Sequence, residues 1–224
     1  MLLGFNETKQ ILEKYDLPMA KTILLTRSKT ISNAQTTSLE EENKLKEATK
    51  QVGFPLVLKV FSTNVLHRTE KGLLKTNIQN EKEASQAFEE FIAKSKNDKG
   101  FEGILAQEQL KGIELFCGLK QDPTFGPVLM FGLGGIFVEA LNDIAFGICP
   151  LTLKEAKEMI TSLKGKKVLG GFRNQPKVDL NVLALLLRQI SILGAKNPQI
   201  KELDFNPIIA NAKSIKIADV KILK

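Results

Sequence analysis

The chain has 224 residues, 43% of them hydrophobic, with no tryptophan, one tyrosine and a formal net charge of +7. That is enough chain for one large or two small domains with a real core, and it excludes disordered and fibrous classes. The charge does not read as a nucleic-acid footprint, because the lysines are interspersed with glutamates on helical faces and the aromatic stacking platform of single-strand binders is missing.

No run reaches the roughly twenty apolar residues of a membrane span. The N-terminus lacks a charged stretch leading into an apolar one, so a cytoplasmic location is the expectation. Cys117 and Cys149 stand far apart in apolar, strand-like contexts and are expected to be buried thiols, with no Cys/His cluster to hold a soft metal.

In chain order, Asn6 is the expected N-cap of a short amphipathic helix that places Ile11, Leu12 and Tyr15 on one face and stops at Asp16 and Pro18. Residues 21–26 read as a strand. Ser38 and Glu41 form a capping box for a helix ended by Gly53. Residues 54–61 are a short apolar run rich in Val and Leu, the pattern of a central strand. Lys59 interrupts that run, and an ammonium there either snorkels to an edge or meets a bound anion such as phosphate.

Residues 72–78 read as a strand, Asn80 caps a helix through Lys94, and residues 103–110 return as a strand. This alternation indicates a mixed sheet with helices on it. From Gly112 the texture becomes an antiparallel meander: residues 113–120, a turn at 122–127, residues 128–131, a glycine loop, and strands around Phe137 and Ala145. Thr152 and Glu155 form a second capping box before a helix to about Leu163. Residues 179–193 are a strongly apolar helix, and strands over 202–209 and 214–222 close the chain. No linker cuts the sequence, and two α+β lobes meeting near residues 108–112 fit it best: a single domain over 1–224, with one lobe over about 1–108 and the other over about 109–224.

His67, the chain's one histidine, follows the central strand in a polar segment, Arg68-Thr-Glu70-Lys-Gly72, with the makeup of a loop. It is either a solvated surface residue or a carrier, since a neutral imidazole can accept a phosphoryl group and pass it on. The segment Leu58-Lys-Val60 followed by His67-Arg-Thr-Glu-Lys-Gly-Leu-Leu-Lys75 resembles the Leu-Lys…His-Lys-Ser-Asp…Gly-Gly-Val-Lys segment of the beta subunit of ADP-forming acyl-CoA synthetases. That family's ATP-grasp domain carries a relay histidine at this place.

Three further stretches carry the same resemblance. Phe131-Gly-Leu-Gly134-Gly135-Ile-Phe-Val-Glu139 lies between strands rather than opening a helix, so it is neither a Walker loop nor a dinucleotide fingerprint. By itself it is a tight turn or a phosphate contact, yet it matches the family's glycine loop along its length, together with the preceding Asp122-Pro-Thr-Phe-Gly-Pro127. Glu202-Leu-Asp204-Phe-Asn206-Pro207 with Asp219 puts oxygen donors on neighbouring strands, the hard ligands that Mg²⁺ takes alongside nucleotide phosphates. It is similar to the family's Glu-Leu-Asp-x-Asn-Pro…Val-Asp-Ala ending. Gln107-Glu108 and Gly112-Ile-Glu114 resemble the interlobe segment that reads adenine and ribose.

The resemblance implies an α+β, ATP-grasp fold with nucleotide between two lobes, an acid–thiol ligase activity, ATP or ADP as substrate and Mg²⁺ as cofactor. It also implies a CoA-binding alpha-subunit partner in a hetero-oligomer, with no nucleic acid or membrane involved. In that family the alpha subunit makes an acyl phosphate, its own histidine takes the phosphoryl group, and the beta-subunit histidine passes it to ADP. His67 would be the carrier, Lys59 the phosphate clamp, Glu108, Glu114, Gly134 and Gly135 nucleotide contacts, and Asn206, Asp219 and Asp204 the Mg²⁺ ligands. Glu70, Leu73 and Gly147 depart from the family's aspartate, second glycine and arginine, which leaves a regulatory subunit without turnover as a rival, beside another ligase close to succinyl-CoA synthetase.

Overall fold

The interior strand that carries Lys59 is β2 (Leu56–Ser62), buried along its whole length. It belongs to a computed structural model that describes residues 1–26, 39–64, 72–135, 143–171 and 177–224. The chain divides into two compact units, Ala20–Gln109 and Met1–Met19 with Leu110–Lys224. Met1–Met19, which the sequence reading put with the first lobe, thus packs with the second unit.

In the unit over Ala20–Gln109, β1 (Thr22–Leu25), β2, β3 (Leu74–Ile78) and β4 (Phe101–Glu108) form a four-stranded sheet in the order β1-β4-β2-β3. All its pairings are antiparallel, not mixed as the alternating pattern indicated. Helices α2 (Leu39–Val52) and α3 (Glu81–Lys94) bury Leu45, Ala48, Ala84, Ala87, Phe88 and Phe91 in one apolar cluster with Leu56, Leu58 and Val60. Because side chains alternate along a strand, Val57, Lys59 and Phe61 take the other face. Asn80 caps α3 as expected, its side chain accepting from the Glu83 N–H at 3.0 Å. Gly53, at φ +86°, ends α2 in the left-handed region. Ser38 lies outside the described residues.

In the other unit α1 spans Phe5–Lys14, and its N-cap is Gly4 rather than Asn6. Burial of Phe5 draws the start of the helix back, and the Gly4 carbonyl accepts the Thr8 N–H. Strands β5 (Ile113–Asp122), β6 (Gly126–Leu133) and β7 (Ile144–Ile148) form the expected meander. Its first turn is closed by Asp122, whose Oδ1 accepts from the Thr124 and Phe125 N–H groups. With β8 (Glu202–Ala210), β9 (Ile215–Ile217) and β10 (Val220–Leu223) they make an antiparallel sheet in the order β10-β8-β5-β6-β7, with β9 paired to β8.

Helices α4 (Leu153–Ser162) and α5 (Leu180–Lys196) contribute Ala156, Met159, Ile160, Leu183, Leu186, Leu187, Ile190 and Leu193 to a core with Leu115, Cys117, Leu119, Leu129, Phe131, Leu203 and Phe205. The capping box of Thr152 and Glu155 is present in both directions. A short 3₁₀ helix, Lys164–Gly170, was not foreseen. Among the described residues no helix is long and apolar enough to cross a membrane.

Both cysteines are buried and unpaired. Burial pushes the Cys117 thiol well above its ordinary value and the Cys149 thiol up to about 12. The thiolate is the reactive form, so iodoacetamide at mildly alkaline pH is expected to leave both unmodified in the native chain and to alkylate both after unfolding. Mass spectrometry that found either one alkylated natively would contradict the burial described.

Candidate functional site

Alternation sorts the larger sheet into two faces. Leu115, Cys117 and Leu119 of β5 and Leu203 and Phe205 of β8 point into the helix-covered core, so Glu114, Gly118, Asp204 and Asn206 take the opposite face. The β8–β10 register sets Val220 opposite Phe205 and Lys221 opposite Asp204. One step further along, Asp219 meets Asn206, whose N–H donates to the Asp219 carbonyl at 3.2 Å.

The expected closing strand over 214–222 is broken there into β9 and β10. The Ala218 and Asp219 N–H groups both turn to the Pro207 carbonyl, at 3.0 and 3.3 Å. This break seats Asp219 at a kink beside Asn206 instead of in a continuous ladder.

Asp204, Asn206 and Asp219 therefore gather carboxylate and amide oxygens at neighbouring register positions. Burial raises the Asp204 carboxyl above its usual range; Lys221 opposes that, while Asp219 and Glu202 add to it. No group of three His, Cys, Asp or Glu among the described residues could hold a metal alone. A few oxygen donors without a full cage fit Mg²⁺, which keeps waters and phosphate oxygens in its shell. They do not fit a soft metal.

Glu114 and the glycine loop also meet. The Gly134 N–H donates to the Glu114 carbonyl at 2.7 Å. A Cβ on Gly134 would come within 3.0 Å of the Glu114 carbonyl carbon, and one on Gly135, at φ +62°, within 3.3 Å of Glu114 Oε2. Close approach to the Glu114 backbone favours glycine at 134, and the left-handed backbone conformation favours it at 135.

In the smaller unit Lys59 is 5% exposed on an interior strand, paired with Leu74 on one side and Leu105 on the other. It does not snorkel to an edge; it shares with Val57 and Phe61 the face opposite the one that packs on α2 and α3. Glu108 closes β4, and its Oε1 accepts the Lys21 N–H at 2.6 Å while its own N–H donates to the Lys21 carbonyl. One carboxylate oxygen of Glu108 is thus engaged by the chain itself.

His67, Arg68 and Glu70 lie outside the described residues, as do Phe137 and Glu139. The two departures that are described have packing explanations. Leu73 is buried in the apolar cluster of its unit. Position 147 faces α4: a Cβ there would collide with Leu151 Cδ2 and Met159 Sδ, each at 2.7 Å. An arginine in its place would point toward the helix layer rather than toward Asp204 and Asn206. Its replacement by Gly147, with Met159 filling the volume, removes no cation from the face that carries the oxygen donors.

Sequence reasoning missed two residues. Lys221 is the cross-strand neighbour of Asp204; its signal was the Asp219-x-Lys221 alternation once that strand is paired antiparallel with β8. Asp143, directly after the glycine-loop region, is buried, and its Oδ1 and Oδ2 accept from the Lys164 and Gly165 N–H groups at 2.9 and 2.7 Å. It clasps the start of the 3₁₀ helix that sequence patterning had not revealed.

Residues 1–223 match the family model of the ATP-grasp domain. The chain is 34% identical over 221 residues to the beta subunit of acetate–CoA ligase [ADP-forming] I of Pyrococcus furiosus, covering 97% of this chain and 89% of that subunit. It is 36% identical over 223 residues to the 4-hydroxybutyrate–CoA ligase [ADP-forming] of Nitrosopumilus maritimus, covering 97% of this chain but only 30% of that longer protein.

Among solved structures it is similar to acetyl-coenzyme A synthetase 1 of Ca. Korarchaeum cryptofilum. With coenzyme A and Ca-AMPCP bound, that structure has 36% identity and a TM-score of 0.86, covering 100% of this chain and 92% of that one. The same synthetase has been solved with its phosphohistidine segment phosphorylated (35% identity, TM-score 0.81, 99% and 92% covered). It has also been solved with Mg-AMPPCP and that segment pointing towards the nucleotide binding site (32% identity, TM-score 0.81, 99% and 92% covered). The chain therefore belongs to the ATP-grasp domain family and, within it, to the family of the beta subunits of ADP-forming CoA ligases.

Proposed function

We propose that this chain is the nucleotide-handling subunit of an ADP-forming acyl-CoA synthetase, and that it works with a CoA-binding alpha subunit in a hetero-oligomer. The observation that carries the reading is the meeting of Asn206 and Asp219 at the β9–β10 break, with Asp204 on the same face, in a chain that covers 89% of a relative named as such a subunit. Asn206, Asp219 and Asp204 would hold Mg²⁺, which supplies charge neutralisation to the nucleotide phosphates when bound. Lys59 would clamp a phosphate as a point charge, and Glu108, Glu114, Gly134 and Gly135 would contact the nucleotide.

His67 is proposed as the carrier. Its imidazole nitrogen attacks the phosphorus of the phosphoryl group that the alpha subunit's histidine has taken from the acyl phosphate, forming a new P–N bond as the donor's P–N bond breaks and that imidazole leaves. The terminal phosphate oxygen of ADP then forms the new P–O bond as the P–N bond breaks, giving ATP and returning the neutral imidazole. The Korarchaeum structures, one with a phosphorylated phosphohistidine segment and one with that segment pointing towards the nucleotide binding site, support this reading.

The rival of a regulatory subunit without turnover was motivated by Gly147 and by the altered relay motif. The packing around Gly147 and Leu73 removes much of that motive. The test is reconstitution: the isolated chain is expected to make no ATP from acetyl-CoA, phosphate and ADP, and to do so once the CoA-binding subunit is added. Turnover by the isolated chain, or none by the mixture with any of several acyl-CoAs, would overturn the proposal.

A further inference from the structure

Helix α5 is apolar on nearly every face, a composition that normally marks a fully buried helix. Its inner faces do pack on the sheet through Leu183, Leu186, Leu187, Ile190 and Leu193. Yet Val182 and Leu185 are each 46% exposed. With Gln189, Ile192 and Lys196 they recur at spacings of three, four, three and four residues, the seam spacing with which one helix receives another.

Beside the second half of that seam, Pro150, Leu151 and Leu153 close a groove of about 630 Å³ against Ile192, Ala195 and Lys196. Leu153 is itself 38% exposed. Arg188 and Lys196, both exposed, border the groove and are the only ionisable residues of α5. No acidic residue is among those lining the groove; Glu155 of α4 turns its Oε2 to the Thr152 N–H and hydroxyl, at 2.7 Å each. An anionic small molecule at the α4 N-terminus is disfavoured for the same reason, since the capping box already fills that end.

From this geometry we infer that the α5 groove is the docking site for an amphipathic helix of the CoA-binding subunit, one that lays apolar residues along Val182, Leu185 and Ile192 and sets carboxylates against Arg188 and Lys196. The inference rests on the two-subunit reading proposed above and deepens it by naming the surface. Charge decides the occupant. A second copy of this chain would bring Arg188 and Lys196 against their own like charges, which costs rather than stabilises, whereas an acid-flanked helix meets a complementary rim. All the residues invoked lie on one compact unit and on described segments.

The test measures the affinity of the whole chain for the CoA-binding subunit by calorimetry, with nucleotide affinity recorded on the same preparations as a check of folding. Leu185→Glu and Ile192→Glu are expected to weaken the complex by at least about tenfold, as a central apolar contact does. Arg188→Glu is expected to weaken it while Arg188→Lys retains it, and nucleotide affinity stays within about twofold throughout. If the native chain binds the subunit and these variants bind as tightly, the groove assignment fails while the proposed function stands. If the native chain does not bind the subunit at all, the two-subunit reading fails and the groove assignment with it. Concentration-dependent dimers of the isolated chain that Leu185→Glu abolishes would give the groove to a second copy and overturn the inference.

Discussion

Replacing Asp219 by alanine is expected to weaken Mg²⁺-dependent ADP binding by on the order of 10- to 100-fold, the scale on which losing a metal-site carboxylate is felt. The backbone contacts of this residue do not depend on its side chain. Asp219 is held in place through its backbone, its N–H on the Pro207 carbonyl and its carbonyl on the Asn206 N–H. Removing the side chain therefore leaves both hydrogen bonds, and the β8–β10 register that depends on them, intact. Calorimetry with and without Mg²⁺ reads the ligand rather than the fold, and the rise in melting temperature that saturating Mg-ADP gives the native chain should shrink in the variant. Equal affinity in the two chains would take Asp219 out of the metal site.

The larger effect is expected at His67. With the CoA-binding subunit present, His67→Ala should lower turnover by on the order of 10³-fold or more, since a covalent carrier has no substitute once its nucleophile is gone. Nucleotide affinity should change by less than about twofold, because Mg²⁺ and phosphate contacts are proposed for other residues. That split separates a carrier from a residue that merely shapes the nucleotide site: loss of both turnover and binding would contradict the role proposed, and retained turnover would end it.

Much of this was legible before any coordinates. Lys59 announced itself as a charge inside a Val- and Leu-rich strand, and the structure places it, buried, on an interior strand rather than at an edge. The Thr152/Glu155 capping box and the Asn80 cap were readable because a helix N-terminus has few ways to satisfy its N–H groups.

What could not be read were features set by pairing partners far away in sequence. Asp219 looked like a residue in a continuous strand, and only the convergence of two N–H groups on the Pro207 carbonyl reveals the kink that sets it beside Asn206. Gly147 looked like a lost catalytic cation, because a motif alignment carries no information about which face of β7 a position occupies. Asn6 looked like the cap of the first helix, because local propensity knows nothing of the pocket that buries Phe5. The sheet over residues 20–109 was expected to be mixed because alternation of strands and helices does not by itself specify which strands pair.

The measurement that bears most directly on the relay is the fate of labelled phosphate. With acetyl-CoA, the CoA-binding subunit and Mg²⁺ present and ADP withheld, radioactive phosphate is expected to label this chain on one residue, with the acid-labile, base-stable behaviour of a phosphorylated imidazole. Adding ADP should discharge the label into ATP, and the His67→Ala chain should take up none. Absence of label in the native chain, or label that persists unchanged in His67→Ala, would contradict the relay and leave a nucleotide-binding regulatory subunit as the better description.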